Sequence, residues 1–186
     1  IFAMDTVISG WQTDTANVLR WIGEQAEFSG RPIVLYGHSL GGLIALCHKD
    51  PDKRIAARIV FAPVVDAVGN LRTTILGPDL WQKSFRGEPI ANFYGKAFSL
   101  QPQFVQDLAE NRYDPLRDAE SLTTPILIVH GTADVAVPIE GSHVLFERYQ
   151  GPKEMKVLEI DHVAAGQHGP WIASIVEWLD RTFPTV

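Results

Sequence analysis

Ile33-Val34-Leu35-Tyr36-Gly37-His38-Ser39-Leu40-Gly41-Gly42-Leu43-Ile44-Ala45-Leu46-Cys47 is the stretch from which the rest of the chain can be read. Ile33 to Tyr36 is a short, continuous apolar run, the pattern of a strand covered on both faces. Leu43 to Cys47 predicts a buried helix. Between them stands Gly37-His38-Ser39-Leu40-Gly41, a G-x-S-x-G pattern at a strand-to-helix turn. Such a turn is sharp and strained, and it lifts the serine Oγ clear of the sheet. Gly37 and Gly41 leave room where a Cβ would crowd the bend. The N–H of Leu40, at the helix start, is placed to meet a developing oxyanion. The bland reading of the same residues is a glycine-rich turn with an N-capping serine. The strand–turn–helix placement favours the chemical one.

The same alternation continues on both sides. Asp14 to Phe28 reads as a helix, with Val18, Leu19, Ile22 and Ala26 at helical spacing and Gly30 as its stop. Ile59 to Ala62 is a second buried strand, ended by Pro63. Pro125 to His130 is a third, its proline at the strand start where a missing N–H is tolerated. Ile139 to Tyr149 predicts a helix with Val144, Leu145 and Phe146 inward. Met155 to Ile160 is a fourth strand. Pro170 opens a last helix whose apolar face is Ile172, Ile175, Val176 and Leu179. Alternating strands and helices predict an α/β fold, a mostly parallel sheet flanked by helices.

The stretch 66–122 breaks the rhythm. It is rich in Gly and Pro and carries Trp81, Phe85, Phe93, Tyr94, Phe98, Phe104 and Tyr113. It is too apolar for a linker and shows no clear strand, so it is expected to be an inserted, mostly helical cap. The alternative is extra core helices that do not touch substrate.

Composition narrows the function. The chain has 186 residues, 46% of them hydrophobic and 20% charged, with 16 basic against 22 acidic side chains and a net charge of −6. That length predicts one domain with a sizeable core. A mildly acidic chain without a basic cluster argues against nucleic acid as a partner. No apolar run is long enough for a transmembrane segment. The one cysteine, Cys47, cannot form an intramolecular disulfide and is expected in the core. The compartment stays open, with the cytoplasm favoured. Histidine and cysteine spacing supports no metal site, and no phosphate-binding glycine pattern supports a nucleotide cofactor; none is expected.

A serine hydroxyl needs a base, and the base needs an orienting acid. In parallel sheets functional groups gather at the carboxyl ends of strands. The third strand is followed by Gly131-Thr132-Ala133-Asp134, the fourth by Asp161-His162. The chain order Ser39, Asp134, His162 suits an elbow-type triad. Asp66, after the second strand, is the rival acid, without the turn that Gly131 and Pro138 build around Asp134. His168 is the rival base, although its place before Gly169-Pro170 also suits a simple lead-in to a helix. His130 is expected to hold its strand end by hydrogen bonds. His38 is expected to point away from the pocket, and His48 and His143 to be solvated.

With these residues named, the chain resembles the α/β-hydrolase superfamily. Tyr36 to Leu46 is similar to the elbow of its monoacylglycerol-lipase-like and serine-aminopeptidase-like branch. Pro125 to Asp134 with Val137-Pro138 resembles the acid turn of that branch. Leu158 to His162, with Ile175 to Leu179, resembles its histidine loop and last helix. The resemblance runs from about Asp14 to Phe183. It implies a serine hydrolase of carboxylic esters with Ser39 as nucleophile, His162 as base, Asp134 as acid and Leu40 as an oxyanion donor. The expected partner is a small-molecule ester with an apolar acyl chain. An amidase or aminopeptidase with the same triad, or a binding module that has kept the fold, is the alternative. The resemblance further implies that N-terminal strands are missing here, together with a loop bearing a second oxyanion N–H. Ile33–Tyr36 would then be a sheet edge, and the chain by itself a weak enzyme.

Overall fold

The computed structural model describes residues 6–95, 97, 99–110 and 113–184; Phe98 lies outside them. Its helices are α1 (Ile8–Glu24), α2 (Leu40–Cys47), α3 (Ala67–Asn70), α4 (Pro78–Phe85), α5 (Pro102–Ala109), α6 (Pro115–Ala119), α7 (Glu140–Arg148) and α8 (His168–Thr182). Its strands are β1 (Ile33–His38), β2 (Ile55–Phe61), β3 (Ile126–Gly131) and β4 (Lys153–Leu158). The described residues fall into two compact units. One draws on Ile1–Arg31 and Ala67–Tyr113, the other on Pro32–Asp66 and Asp114–Val186.

The second unit holds the sheet. Its strands lie in the order β1-β2-β3-β4, and every neighbouring pair is parallel. Side chains alternate between faces with a period of two. Ala57, Ile59 and Phe61 of β2 join Leu127 and Val129 of β3 on one face, packed with Trp178 of α8 and with Ile160 and Ala164 of the loop that follows β4. Val60, Ile126 and Ile128 face the other way, against Ala45 and Leu46 of α2, Ala119 of α6 and Leu145 of α7. The inner strands β2 and β3 are therefore almost wholly buried. Residues 59–61 and 126–129 accordingly read as unbroken apolar runs. β2 begins at Ile55 rather than at the predicted Ile59, because Arg58 interrupts the run; it is buried and satisfied, donating from Nε to Ala45 O at 3.0 Å and from Nη1 to Thr124 Oγ1 at 2.6 Å. Among the described residues β1 and β4 each pair with one strand only, and both are partly exposed along their length. Tyr36, predicted to lie in a strand covered on both faces, is accordingly exposed.

Two helix faces differ from their predicted ones. In α7, Ser142 and Leu145 are buried, with Tyr149 directly beyond the helix, while Val144 is exposed. Leu145 and the half-buried Phe146 pack on the core as expected, and only Val144 turns outward, because three consecutive residues fan too widely round a helix to share one face. In α8 the inward residues are Ile175, Trp178 and Leu179, with Trp171, whereas Ile172 and Val176 are exposed. Trp178 buries more surface than either, and its placement sets the rotation of the helix.

In the first unit, α1 begins six positions ahead of the predicted Asp14, since 14 − 8 = 6, and ends before a short 3-10 turn at Ala26–Phe28. Ile8 and Leu19 are buried in it, and Val18 is exposed. Asp107 Oδ2 accepts from the Ser9 N–H at 2.9 Å, meeting one of the N–H groups that a helix start leaves without an internal partner. Trp11 meets Phe104 edge-on, with ring centroids 5.8 Å apart. An antiparallel bridge joins Ile90 to Leu100. Among the described residues, no helix is long and apolar enough to cross a membrane.

Candidate active site

Ser39 stands directly between the end of β1 and the start of α2, with φ 56° and ψ −120°. This backbone conformation is rare for a residue with a side chain and costs about 1–3 kcal/mol. Hydrogen bonds to the end of β2, to the segment after it and to the first turn of α2 hold it there. Ser39 N–H donates to Phe61 O at 2.9 Å, and Ser39 O accepts from Val64 N–H at 3.1 Å and from Gly42 N–H at 2.9 Å. The glycines divide the work differently from the sequence expectation. A Cβ at Gly37 would run into the Gly41 carbonyl, and one at Gly42 would lie 2.7 Å from Pro63 Cβ. A Cβ at Gly41 would meet nothing within 4 Å, so the bend needs Gly37 and Gly42, and Gly41 is not sterically required. Leu40 opens α2, where the N–H has no carbonyl partner inside the helix.

Asp134 sits in the turn after β3. Its Oδ1 accepts from the Ala136 and Val137 N–H groups, each at 2.9 Å. Its Oδ2 is 2.7 Å from His162 Nδ1 and 3.4 Å from His130 Nε2. The Asp134 side chain is fully buried. Burial alone would raise its pKa. Hydrogen bonds from His130, His162 and the Val137 N–H, with the charge of His162, overcome that and hold the carboxyl well below the usual range.

The loop carrying His162 is built on the acid turn. Thr132 N–H donates to Leu158 O at 2.8 Å and Ala133 N–H to Ile160 O at 3.1 Å. A Cβ at Gly131 would collide with the Ile160 carbonyl, so glycine is what lets the two segments approach. Asp161 Oδ1 accepts from Val163 and Ala165 N–H, each at 3.1 Å, and folds the loop back on itself.

Of the other candidates, His168 is exposed at the start of α8, and its Nδ1 accepts from Trp171 Nε1 at 3.5 Å. Asp66 is exposed. His130 is fully buried, with Nδ1 2.7 Å from Ser142 Oγ and Nε2 3.0 Å from Val137 O. A carbonyl only accepts, so Nε2 carries a proton and donates to Val137 O. His48, expected to be solvated, is buried, and burial lowers its pKa. Burial, with Asp118 nearby, pushes the Cys47 thiol up to about 12, which leaves it inert as a nucleophile. His38 does not stay apart from the cluster: its Nε2 lies 2.7 Å from the backbone oxygen of His162. Nothing local in the sequence marks that contact, which joins residues 124 positions apart. Among the described residues, no group of three His, Cys, Asp or Glu side chains is placed to hold a metal ion.

Asp134 and His162 are thus in direct contact, and Ser39 follows the residue bonded to the His162 loop. All three lie at the carboxyl ends of strands within one unit. Comparison with known proteins agrees with this architecture. Polyketide transferase grgF of a Penicillium species is 27% identical over 191 residues, covering 87% of this chain and 63% of its own. The monoacylglycerol lipase of Mycolicibacterium smegmatis is 26% identical over 142 residues, covering 63% of this chain and 49% of its own. The alignments therefore span about half to two thirds of the length of these curated relatives. Est1E from Butyrivibrio proteoclasticus shares the fold, with a TM-score of 0.76 at 20% identity over 97% of this chain and 72% of its own. The model of the alpha/beta hydrolase family matches residues 5–174, nearly the whole chain, and the chain belongs to that family.

Proposed function

We propose that this chain is a serine hydrolase that cleaves carboxylic esters through Ser39, His162 and Asp134. The observation that carries the reading is the 2.7 Å contact between His162 Nδ1 and Asp134 Oδ2, on the strand ends where the β1–α2 bend presents Ser39. Asp134 can only accept, so it holds the Nδ1–H tautomer and leaves Nε2 free to take a proton. Ser39 Oγ attacks the ester carbonyl as His162 Nε2 removes its proton. The Leu40 N–H steadies the oxyanion. The tetrahedral adduct collapses to an acyl-serine, and the leaving alkoxide takes the proton from His162. Water, deprotonated by the same nitrogen, then releases the acid and restores Ser39.

The name of the M. smegmatis relative, a monoacylglycerol lipase, supports an ester over an amide. Val135 and Val163, which follow Asp134 and His162 in the chain, are 89% and 56% exposed. Apolar side chains displayed beside the two partners suit an apolar acyl group on a small-molecule ester. The test is labelling by a fluorophosphonate probe alongside hydrolysis of p-nitrophenyl esters. The wild type takes up the label and cleaves the ester, and Ser39→Ala does neither. Equal labelling of the two proteins overturns the assignment. Faster cleavage of aminoacyl-p-nitroanilides than of esters moves the substrate class to amides.

A further inference from the structure

We infer that His38 is a positioning residue that ties the loop of the candidate base to the strand bearing the candidate nucleophile. The inference rests on the proposed roles of Ser39 and His162. His38 is the last residue of β1, adjacent to Ser39. Its Nε2 donates to the His162 carbonyl oxygen at 2.7 Å, across 124 residues of chain.

The direction of that bond is set by packing. The His38 ring stacks on Phe61, centroids 4.7 Å apart at 24°. Phe61 stacks in turn on Trp171, at 5.3 Å and 2°. Phe61 belongs to β2 and also receives the Ser39 N–H on its backbone oxygen. One residue therefore fixes both the bend at Ser39 and the plane of the ring beside it. On its far side the His162 loop is held by Thr132, Ala133 and Asp134, all from the acid turn. Those bonds set the loop against β3, and the bond from His38 sets it against β1. Nucleophile and base come from different strands, so the distance between them depends on a tie of this kind.

The chemistry of the donor suits the task. A carbonyl only accepts, so the bond puts the proton on Nε2 and leaves Nδ1 bare in the neutral ring. Burial, reinforced by the charge of His162, lowers the His38 pKa. A neutral donor anchors the carbonyl without adding a second positive charge beside His162, whose ring centroid is 4.8 Å away. A lysine or arginine here would oppose the imidazolium that forms as Ser39 attacks.

The experiment compares His38→Gln with His38→Asn. A glutamine amide nitrogen can reach the place of Nε2; an asparagine amide reaches only as far as Nδ1. Both variants are polar and lose the ring stacking, so they differ chiefly in where the donor stands. Ester hydrolysis, Ser39 phosphonylation rate and thermal melting are measured for both, with wild type and Ser39→Ala. A misplacement of about 1 Å can cost about 10²-fold in rate. His38→Asn is expected to lose about 10- to 100-fold in kcat and in phosphonylation rate, with KM little changed. His38→Gln recovers most of that loss at a similar melting temperature. Equal rates for the two variants, or a fall that follows melting temperature alone, overturn the inference. A wild type that neither labels nor hydrolyses overturns the proposed function instead.

Discussion

One carboxylate oxygen of Asp134 stands 2.7 Å from His162 Nδ1, while its other oxygen takes two backbone N–H groups of its own turn. The carboxylate is therefore anchored before it meets the imidazole. Its orientation does not depend on His162, but that of His162 depends on it.

Asp134→Asn keeps the size of the side chain and removes its charge. An amide can present its NH2 to Nδ1 and select the wrong tautomer, and a loss of about 10⁴-fold in kcat is expected. Stability should respond to pH as well. The folded-state pKa of Asp134 lies below its unfolded value. The stability it contributes is thus fully present above about pH 4 and is lost as pH falls further. Urea unfolding at a series of acid pH values should show a steeper decline for the wild type than for Asp134→Asn. Parallel declines would place the pH dependence elsewhere.

Ser39→Gly should be inactive yet more stable. The positive φ of Ser39 is strained for a residue with a Cβ and natural for glycine. After the extra chain entropy of glycine, a net gain of about 1 kcal/mol is expected. Thermal melting beside the labelling assay checks both halves.

Gly37→Ala and Gly41→Ala separate two glycines of one pattern. The new methyl at position 37 collides with the Gly41 carbonyl, whereas at position 41 it enters open space. The first should lose about 3 kcal/mol or fail to fold, and the second should change stability by less than about 1 kcal/mol. Chemical denaturation of the two variants distinguishes them.

His130→Leu should destabilise the acid turn. It leaves the Ser142 hydroxyl and one contact of Asp134 without the ring, in a wholly buried place. Unpaired buried groups cost about 1–3 kcal/mol each, so a loss of about 3 kcal/mol is expected in urea unfolding. Ser142→Ala, which removes only the hydroxyl, should lose less.

Much of the fold was legible because its signals are local. Ile59 to Phe61 and Ile126 to Val129 are interior strands and show it as unbroken apolar runs. The glycines around Ser39 and the proline before Ile126 mark turns by what their own backbones allow. Strand ends were less legible: β1 and β4 mix buried and exposed positions and their ends moved by about two residues, and the start of β2 moved from Ile59 to Ile55 because the buried Arg58 breaks its apolar run. Helix existence was readable in α7 and α8, but rotation only in part: Leu145, Phe146, Ile175 and Leu179 turn inward as expected, whereas Val144, Ile172 and Val176 do not. Which stripe turns inward depends on the surface a helix meets, and Trp178 in α8 outweighed the exposed Ile172 and Val176.

By itself the chain determined an α/β sheet, a serine on a tight strand-to-helix bend, and a short set of acids and histidines after later strands. Tertiary structure alone decided that His162 and not His168 meets Asp134, that Gly131 serves a close approach of two segments, and that His38 reaches the His162 loop. These partners lie 28 and 124 residues apart for the two histidine contacts. Such distances are set by strand order and by the packing of buried faces, which a local pattern of side chains does not encode.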